Sequence, residues 1–194
     1  MATRSERKVK SRDRILESAG TLIREQGISA TSVSSVMEGA GMTVGGFYAH
    51  FPSKESMVAE ALEAALRESH APLTAGLQDK SGAEVIEAVS RRYLSRAHRD
   101  NPEHGCPIPA TAAEVARAQG PARDAFAGEI DSLADQLASK YNEAGVDSSR
   151  EEALAALSLM VGGLTLARSL AGTPLSDEVL KACRKHIARS ASGS

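Results

Sequence analysis

The sequence is poor in cysteine and aromatic residues and has no long apolar run. Its 194 residues include no tryptophan, two cysteines and only 3% aromatic residues. Cys106 and Cys183 are too few for a disulfide scaffold and lack structural-zinc spacing, so we expect free thiols, no metal and no cofactor. No stretch approaches the roughly 20 apolar residues of a membrane span, and the polar, basic start of the chain is unlike a secretory signal. We therefore expect a cytoplasmic protein without a membrane partner.

A large excess of charge of one sign is also absent, because the formal net charge is −2. The distribution is uneven: residues 1–54 hold eight Lys or Arg against five Asp or Glu, whereas residues 55–194 hold fifteen against twenty. A basic cluster suits contact with phosphates, since each neutralised phosphate releases counterions, but short charged termini are more often solvated tails. The cluster in question consists of Arg4, Arg7, Lys8, Lys10, Arg12 and Arg14.

Helix-type periodicity dominates what is present. Apolar residues recur at spacings of three and four, helix formers are abundant, and alternating β-branched runs are lacking, which predicts an all-α fold. Residues 1–52 are predicted as a compact bundle of three short helices at the N-terminus, and residues 53–194 as a larger C-terminal helical domain. The helices are predicted at Arg12–Gln26, Thr31–Gly39, Thr43–Phe51, Lys54–His70, Ala83–Arg99, Ile108–Gln119, Pro121–Tyr141, Arg150–Ala171 and Ser176–Arg189.

Two of the short helices are joined through Ala40-Gly41-Met42-Thr43, the arrangement that a DNA-reading helix-turn-helix requires. Thr31 is predicted to cap the first of these helices and Thr43 the second. The segment from Thr31 to Glu55 closely resembles the signature of the tetracycline-repressor (TetR) family. The resemblance includes the Ala-Gly turn, the Phe47-Tyr48 pair, the His50-Phe51 ending and the Ser53-Lys54-Glu55 start of the next helix.

The resemblance implies a recognition helix from Thr43 to His50 that enters the major groove of DNA. Val44 and Gly45 are then expected to face base edges, and Tyr48, His50 and Lys54 to reach phosphates. Hydroxyls at helix starts are further candidates for phosphate contact, namely Thr31, Ser32 and Thr43. Gly45 and Gly46 each cost a helix roughly 1 kcal/mol relative to alanine, so we expect that they allow close approach to the groove. Phe47 is expected in the core with Val36 and Phe51.

The same resemblance implies that residues 1–52 are a helix-turn-helix DNA-binding domain and that residues 53–194 are a C-terminal ligand-binding and dimerisation domain. It implies a homodimer that binds a palindromic operator, with an interface formed by the helices at about 150–171 and 176–189. It also implies repression that a small-molecule effector relieves. Cys106, with His104 nearby and the start of a helix after it, is a candidate sensor of thiol-reactive effectors; the alternative is a buried packing cysteine. No enzymatic constellation is found. The remaining alternative is a helical protein-interaction module without specific DNA binding.

Overall fold

The computed structural model describes residues 3–192, apart from the side chain of Arg4, and all regular structure in this range is helical. Helix accounts for 79% of the described residues, which confirms the all-α prediction. The elements are α1 Arg4–Ala30, α2 Val33–Gly39, a 3-10 helix Val44–Ala49, α3 Lys54–Thr74, α4 Gly82–Tyr93, α5 Arg96–Asp100, a 3-10 turn Pro102–His104, α6 Ile108–Val115, α7 Pro121–Glu143, α8 Ser149–Ser169 and α9 Pro174–Ser190.

The first helix is longer than its sequence pattern predicts at both ends. It starts at Arg4 because Thr3 and Glu6 form a capping box: the Glu6 N–H donates to Thr3 Oγ1 at 3.2 Å, and the Thr3 N–H donates to Glu6 Oε2 at 2.6 Å. Gly27, predicted as the stop, is instead a kink with φ of 82°, beyond which the chain is helical to Ala30. The basic cluster therefore lies on a helix and not on an irregular arm.

Two other predicted boundaries are wrong. The helix expected over Ala83–Arg99 is split into α4 and α5 at Leu94, where ψ is 43°. Ser95 then starts α5, because its Oγ accepts the N–H of His98 at 3.1 Å. The helix expected to reach Gln119 ends at Val115. The apolar periodicity runs unbroken through the segment 83–99 and predicted one helix. Capping by Ser95 nevertheless starts a new helix there.

Backbone contacts divide the chain into two compact units. The first comprises Met1–Glu68 and Cys106–Gly128, and the second comprises Ser69–Gly105 and Glu129–Ser194. These units follow packing, whereas the predicted domains 1–52 and 53–194 follow function, so that functional boundary stays a prediction. In the first unit α1 packs against α2 and α6, and Ile15, Ala19 and Ile23 are its buried stripe.

The second unit is built around α8 and α9, which pack along each other and against α4. Leu164, Leu180 and Ile187 are buried between them. Close approach is required where α4 begins, because a Cβ at Gly82 would lie 2.1 Å from the carbonyl oxygen of Lys140. The buried Ser176 donates to the carbonyl oxygen of Ala167 at 2.7 Å, which ties the start of α9 to α8.

Candidate nucleic-acid interface

The helix-turn-helix is held by a small aromatic and aliphatic core. Val36, Met37, Phe47 and Phe51 are buried, and the rings of Phe47 and Phe51 stack with centroids 5.8 Å apart. The predicted core position of Phe47 is confirmed. Because its neighbours in the short 3-10 helix have no comparable burial, Phe47 is the side chain that anchors this element, which packs against α2.

The start of α2 differs from the prediction. Ser32, not Thr31, is the N-cap: its Oγ accepts the N–H of Ser35 at 3.0 Å, and Ser35 Oγ accepts the N–H of Ser32 at 3.1 Å. Thr31 is fully buried, its hydroxyl donates to the Gly27 carbonyl oxygen at 2.7 Å, and its N–H donates to the Ile28 carbonyl oxygen. Both donors of Thr31 are therefore occupied within the protein, and the phosphate contact expected from it stays a prediction that this burial does not favour. Ser32 is exposed at the position where that contact was expected.

A carboxylate that the sequence pattern did not single out stabilises the approach to this motif. Glu114 on α6 accepts the N–H of Ile28 at 2.6 Å and that of Ser29 at 3.0 Å, directly after the kink at Gly27. Partial burial raises the pKa of Glu114, whereas the hydrogen bonds from Ser29 and Ile28 lower it. The hydrogen bonds together have the larger effect, and the net shift of the pKa is downward. Glu114 lies 86 residues from Ile28 along the chain, so no local motif could have revealed it.

The segment predicted as the recognition helix, Thr43 to His50, forms a 3-10 helix over Val44–Ala49, with hydrogen bonds between residues three apart such as the one from the Gly46 N–H to the Thr43 carbonyl oxygen at 3.0 Å. Two consecutive glycines disfavour an α-helix here, which accounts for the difference from the prediction. Thr43 is at the expected N-cap position and is exposed, but its side chain makes no capping hydrogen bond. Its hydroxyl therefore remains available to a ligand.

One side of the 3-10 helix is open. The side chains of Val44 and Tyr48 are 49% and 72% exposed, which is unusual for residues of this size next to a packed core. A Cβ at Gly45 would meet no atom within 4 Å, and one at Gly46 would lie 3.8 Å from Met37 Cε. The glycines are thus not required by internal packing, and the surface at Gly45 is flat.

The end of the element passes into α3 through residues 50–54. His50 is half-buried, and its Nδ1 is buried with no hydrogen-bond partner among residues 3–192. Ser53 caps α3 by accepting the N–H of Ser56 at 3.1 Å, as predicted, and Lys54 is half-exposed in the first turn. Hydrogen bonds from its own backbone N–H and from Ser53 lower the pKa of Glu55.

Arg12 is a second residue whose role the sequence pattern missed. Its guanidinium carbon lies 4.6 Å from the centroid of the Phe51 ring, and its Nη2 pairs with the carboxylate of Glu60. Of the basic cluster, Arg12 is therefore engaged in holding α1 against the recognition motif and α3. No spacing rule connects residues 12, 51 and 60, so this contact required the folded chain.

The candidate sensor Cys106 is only 2% exposed and precedes Pro107, the N-cap of α6. The side chain of His104 is 84% exposed, with its Nδ1 3.5 Å from Glu103 Oε1. His98 has its Nδ1 2.7 Å from the Tyr93 carbonyl oxygen, and burial lowers its pKa, with Arg168 adding to the effect. The hydrogen bond to the Tyr93 carbonyl oxygen opposes this shift, but the net shift of the His98 pKa is downward, which favours the neutral imidazole.

Two kinds of feature are absent from residues 3–192. Within residues 3–192 no helix has the length and hydropathy needed to cross a membrane. In the same range no three His, Cys, Asp or Glu side chains are grouped so that they could hold a metal ion.

Comparison with known proteins agrees with the geometry of the motif. Residues 15–61 match the family model described as bacterial regulatory proteins of the tetR family. Residues 82–169 match the model described as a tetracycline repressor-like C-terminal domain. The first match covers the helix-turn-helix with parts of α1 and α3, and the second runs from the start of α4 to the end of α8.

The relatives extend over most of the chain. An HTH-type transcriptional regulator of Mycobacterium tuberculosis is 30% identical over 165 residues, which are 81% of this chain and 84% of the relative. The HTH-type transcriptional repressor KstR2 of Rhodococcus jostii is 33% identical over 91 residues, 45% of each chain. A TetR-family regulator from Cytophaga hutchinsonii shares the fold, with a TM-score of 0.81 at 22% identity over 97% of both chains. Reduced NemR of Escherichia coli does so with a TM-score of 0.79 at 21% identity, over 91% of this chain and 94% of NemR. This chain therefore belongs to the TetR family of DNA-binding transcriptional regulators, which are not enzymes.

Proposed function

We propose that this regulator is a repressor that binds a palindromic operator as a homodimer and leaves it when a small-molecule effector binds. The observation that supports operator binding best is the open side of the 3-10 helix, where Val44 and Tyr48 project from a motif whose interior is packed. The name of the relative KstR2, a transcriptional repressor, favours repression over activation.

The exposed residues suit distinct roles on DNA. Val44 offers an apolar contact to a thymine methyl group, and the flat surface at Gly45 and Gly46 lets the backbone approach base edges. The Tyr48 hydroxyl and the Lys54 ammonium donate to phosphates and set the register of the protein on the duplex. Ser32 and Thr43 add exposed hydroxyls, and His50 would use Nε2, since its Nδ1 is buried.

Selection of bound sequences from a random duplex pool tests this proposal. The wild-type protein should enrich one palindrome, and Tyr48→Ala and Lys54→Ala should lose it while melting at the wild-type temperature, because both side chains lie outside the core. Gly45→Leu should also lose it, since a leucine side chain would occupy the space kept for the groove. If the folded wild-type protein enriches no sequence under low salt, the repressor proposal is wrong and the interaction-module alternative is favoured.

The proposed dimer interface is the exposed face of α8 and α9, close to the predicted ranges 150–171 and 176–189. Leu154, Ser158, Gly162 and Leu166 recur every four residues on α8 and are all exposed. Large apolar and small residues on one exposed stripe suit close packing of a second helix. Two recognition elements one DNA turn apart, roughly 34–36 Å, would then read a palindrome.

Sedimentation equilibrium tests the dimer. The wild-type protein should have twice the mass of one chain at micromolar concentration, and Leu166→Glu should shift it to the monomer because a carboxylate would be buried in the interface. Val9→Glu is a matched control, since Val9 is equally exposed at 56% but lies on α1. Equal masses for the two variants would exclude α8 from the interface.

The effector is a small molecule, and a thiol-reactive compound that modifies Cys106 is the specific case to be tested. The near-complete burial of Cys106 means that its modification would require local opening of the protein. Alkylation followed by mass spectrometry should label Cys106 and release DNA, whereas Cys106→Ser should not respond. A fully responsive Cys106→Ser protein would assign Cys106 to packing and leave a non-covalent effector.

A further inference from the structure

The first two turns of α1 project beyond the helix-turn-helix. Arg12 lies over Phe51, directly after the recognition element. Arg14 lies beside the turn before that element, since a Cβ at Gly41 would be 2.8 Å from its Nη2. Apart from the undescribed side chain of Arg4, residues 3–10 are all exposed. At 1.5 Å per residue, the helix therefore extends roughly 12 Å past the level of Arg12.

This extension carries positive charge on one face. Arg7, Lys10 and Arg14 are spaced three and four residues apart, which places them within an arc of roughly 60° around the helix. Arg7 and Lys10 are exposed and have no ion-pair partner within residues 3–192. Because Arg14 of the same face lies against the turn, the face runs from the helix-turn-helix outward.

The acidic residues nearby do not neutralise this face. The Glu6 carboxylate is turned back to the helix start, where it accepts the N–H of Thr3. Asp13 lies about 60° outside the basic arc, and Glu17 lies about 20° outside it but roughly 10 Å further along the helix than Lys10. Within residues 3–192 neither carboxylate forms an ion pair with Arg7 or Lys10. A rigid helix with aligned cations loses less conformational entropy on meeting DNA than a disordered arm would.

We propose that the α1 extension is a second DNA-contacting surface, in which Arg7 and Lys10 bind backbone phosphates of the duplex that the recognition element occupies. The contact adds affinity and salt dependence without reading sequence, because phosphates carry no base information. This proposal rests on the proposed function only for the existence of an operator. The contact itself can be measured without one, since phosphate binding is expected on any duplex.

The salt dependence of DNA binding is the test. Dissociation constants of the full chain are measured between 50 and 200 mM salt on the palindrome from the selection and on a random-sequence duplex of 30 base pairs. For Arg7→Gln/Lys10→Gln, the slope of log K against log salt should be smaller in magnitude by about 0.9 per lost phosphate contact, or about 1.8 per protomer. Over this salt range, the wild-type protein should lose on the order of tenfold more affinity per protomer than the variant.

Two control variants separate local contact from net charge. Arg91→Gln/Arg123→Gln removes the same charge from exposed positions outside α1 and should keep the wild-type slope. Arg7→Lys/Lys10→Arg preserves the charge of the α1 face and should also have the wild-type slope. A slope for Arg7→Gln/Lys10→Gln equal to that of either control overturns the proposal. A reduced slope on the random duplex without any enriched palindrome would retain this surface and refute the operator proposal alone.

If Arg7→Gln/Lys10→Gln has lost helix content by circular dichroism, Arg7→Ala/Lys10→Ala replaces it, because alanine is the strongest helix former. The expected slope is the same for this variant, and the same comparison with the two controls decides the outcome.

Discussion

Removal of the Glu114 carboxylate should destabilise the junction between α1 and α2 more than removal of an ordinary surface carboxylate. In Glu114→Ala, the backbone N–H groups of Ile28 and Ser29 lose their acceptor. Ser29 is exposed, so its N–H can turn to water, whereas Ile28 is half-buried and its N–H is compensated less well. The stability lost in Glu114→Ala therefore comes mainly from one charge-assisted hydrogen bond, the one from the Ile28 N–H to the carboxylate.

The magnitude follows from that difference. A hydrogen bond to a charged group contributes about 1.5–3 kcal/mol, so we expect Glu114→Ala to reduce the free energy of unfolding by about 2 kcal/mol. For a chain of this length, the melting temperature should fall by roughly 4–8 °C. Glu114→Gln should fall between wild type and alanine, because its amide oxygen can serve one N–H while its NH2 group faces the other.

The pH dependence gives an independent check on the charge. The pKa of Glu114 is lowered in the folded protein, so its contribution is fully present above the unfolded-state pKa of about 4.3 and is lost as the pH falls through the folded-state value. The gap in melting temperature between wild type and Glu114→Ala should therefore narrow as the pH is lowered from 7 to below 4. Raising the pH from 7 to 8 should leave it unchanged.

Thermal unfolding followed by circular dichroism measures both effects. Glu25→Ala is the matched control, because Glu25 is an exposed carboxylate on α1, and its melting temperature should stay near that of wild type. If Glu114→Ala melts with the control at pH 7, or if the gap is independent of pH, the Glu114 carboxylate does not stabilise the kink and the reasoning is refuted.

Other substitutions test the packing of each unit by thermal unfolding. Gly82→Ala should lower the melting temperature, because its Cβ would lie 2.1 Å from the carbonyl oxygen of Lys140, whereas Gly128→Ala, in open space on α7, should raise it slightly; equal shifts would contradict this close approach. Phe47→Ala should cost about 3–5 kcal/mol and abolish DNA binding, since Phe47 is fully buried in the motif; a wild-type melt would show that it is not a core residue. Ser176→Ala should cost about 1–3 kcal/mol, because its hydroxyl bridges α8 and the Arg99 guanidinium; a loss below 0.5 kcal/mol would mean that water replaces it.

Local patterns in the sequence determined the fold class and most of the recognition motif. Helix periodicity gave the all-α architecture, the residues from Thr31 to Glu55 identified the helix-turn-helix, and helical register placed Phe47 in its core. These features depend on neighbours within a few residues, where propensity, capping and side-chain spacing act directly. The same local signals misplaced the start of α1, because the Thr3–Glu6 capping box lies before its apolar stripe. They also predicted Thr31 as the cap of α2, a role that Ser32 fulfils.

Only the tertiary structure decided which polar groups meet across long separations in the chain. Glu114 reaches the kink at residues 27–29 and Arg12 reaches Phe51 and Glu60, and no spacing rule links such residues. The tertiary structure also decided the solvent exposure of individual side chains. Periodicity predicts which face of a helix is buried, but not which residues remain exposed once the helices have packed. Thr31 was withdrawn from solvent, Cys106 was buried, and Val44 and Tyr48 were left open, because the positions of whole helices, and not the local sequence, set the accessible surface of each side chain.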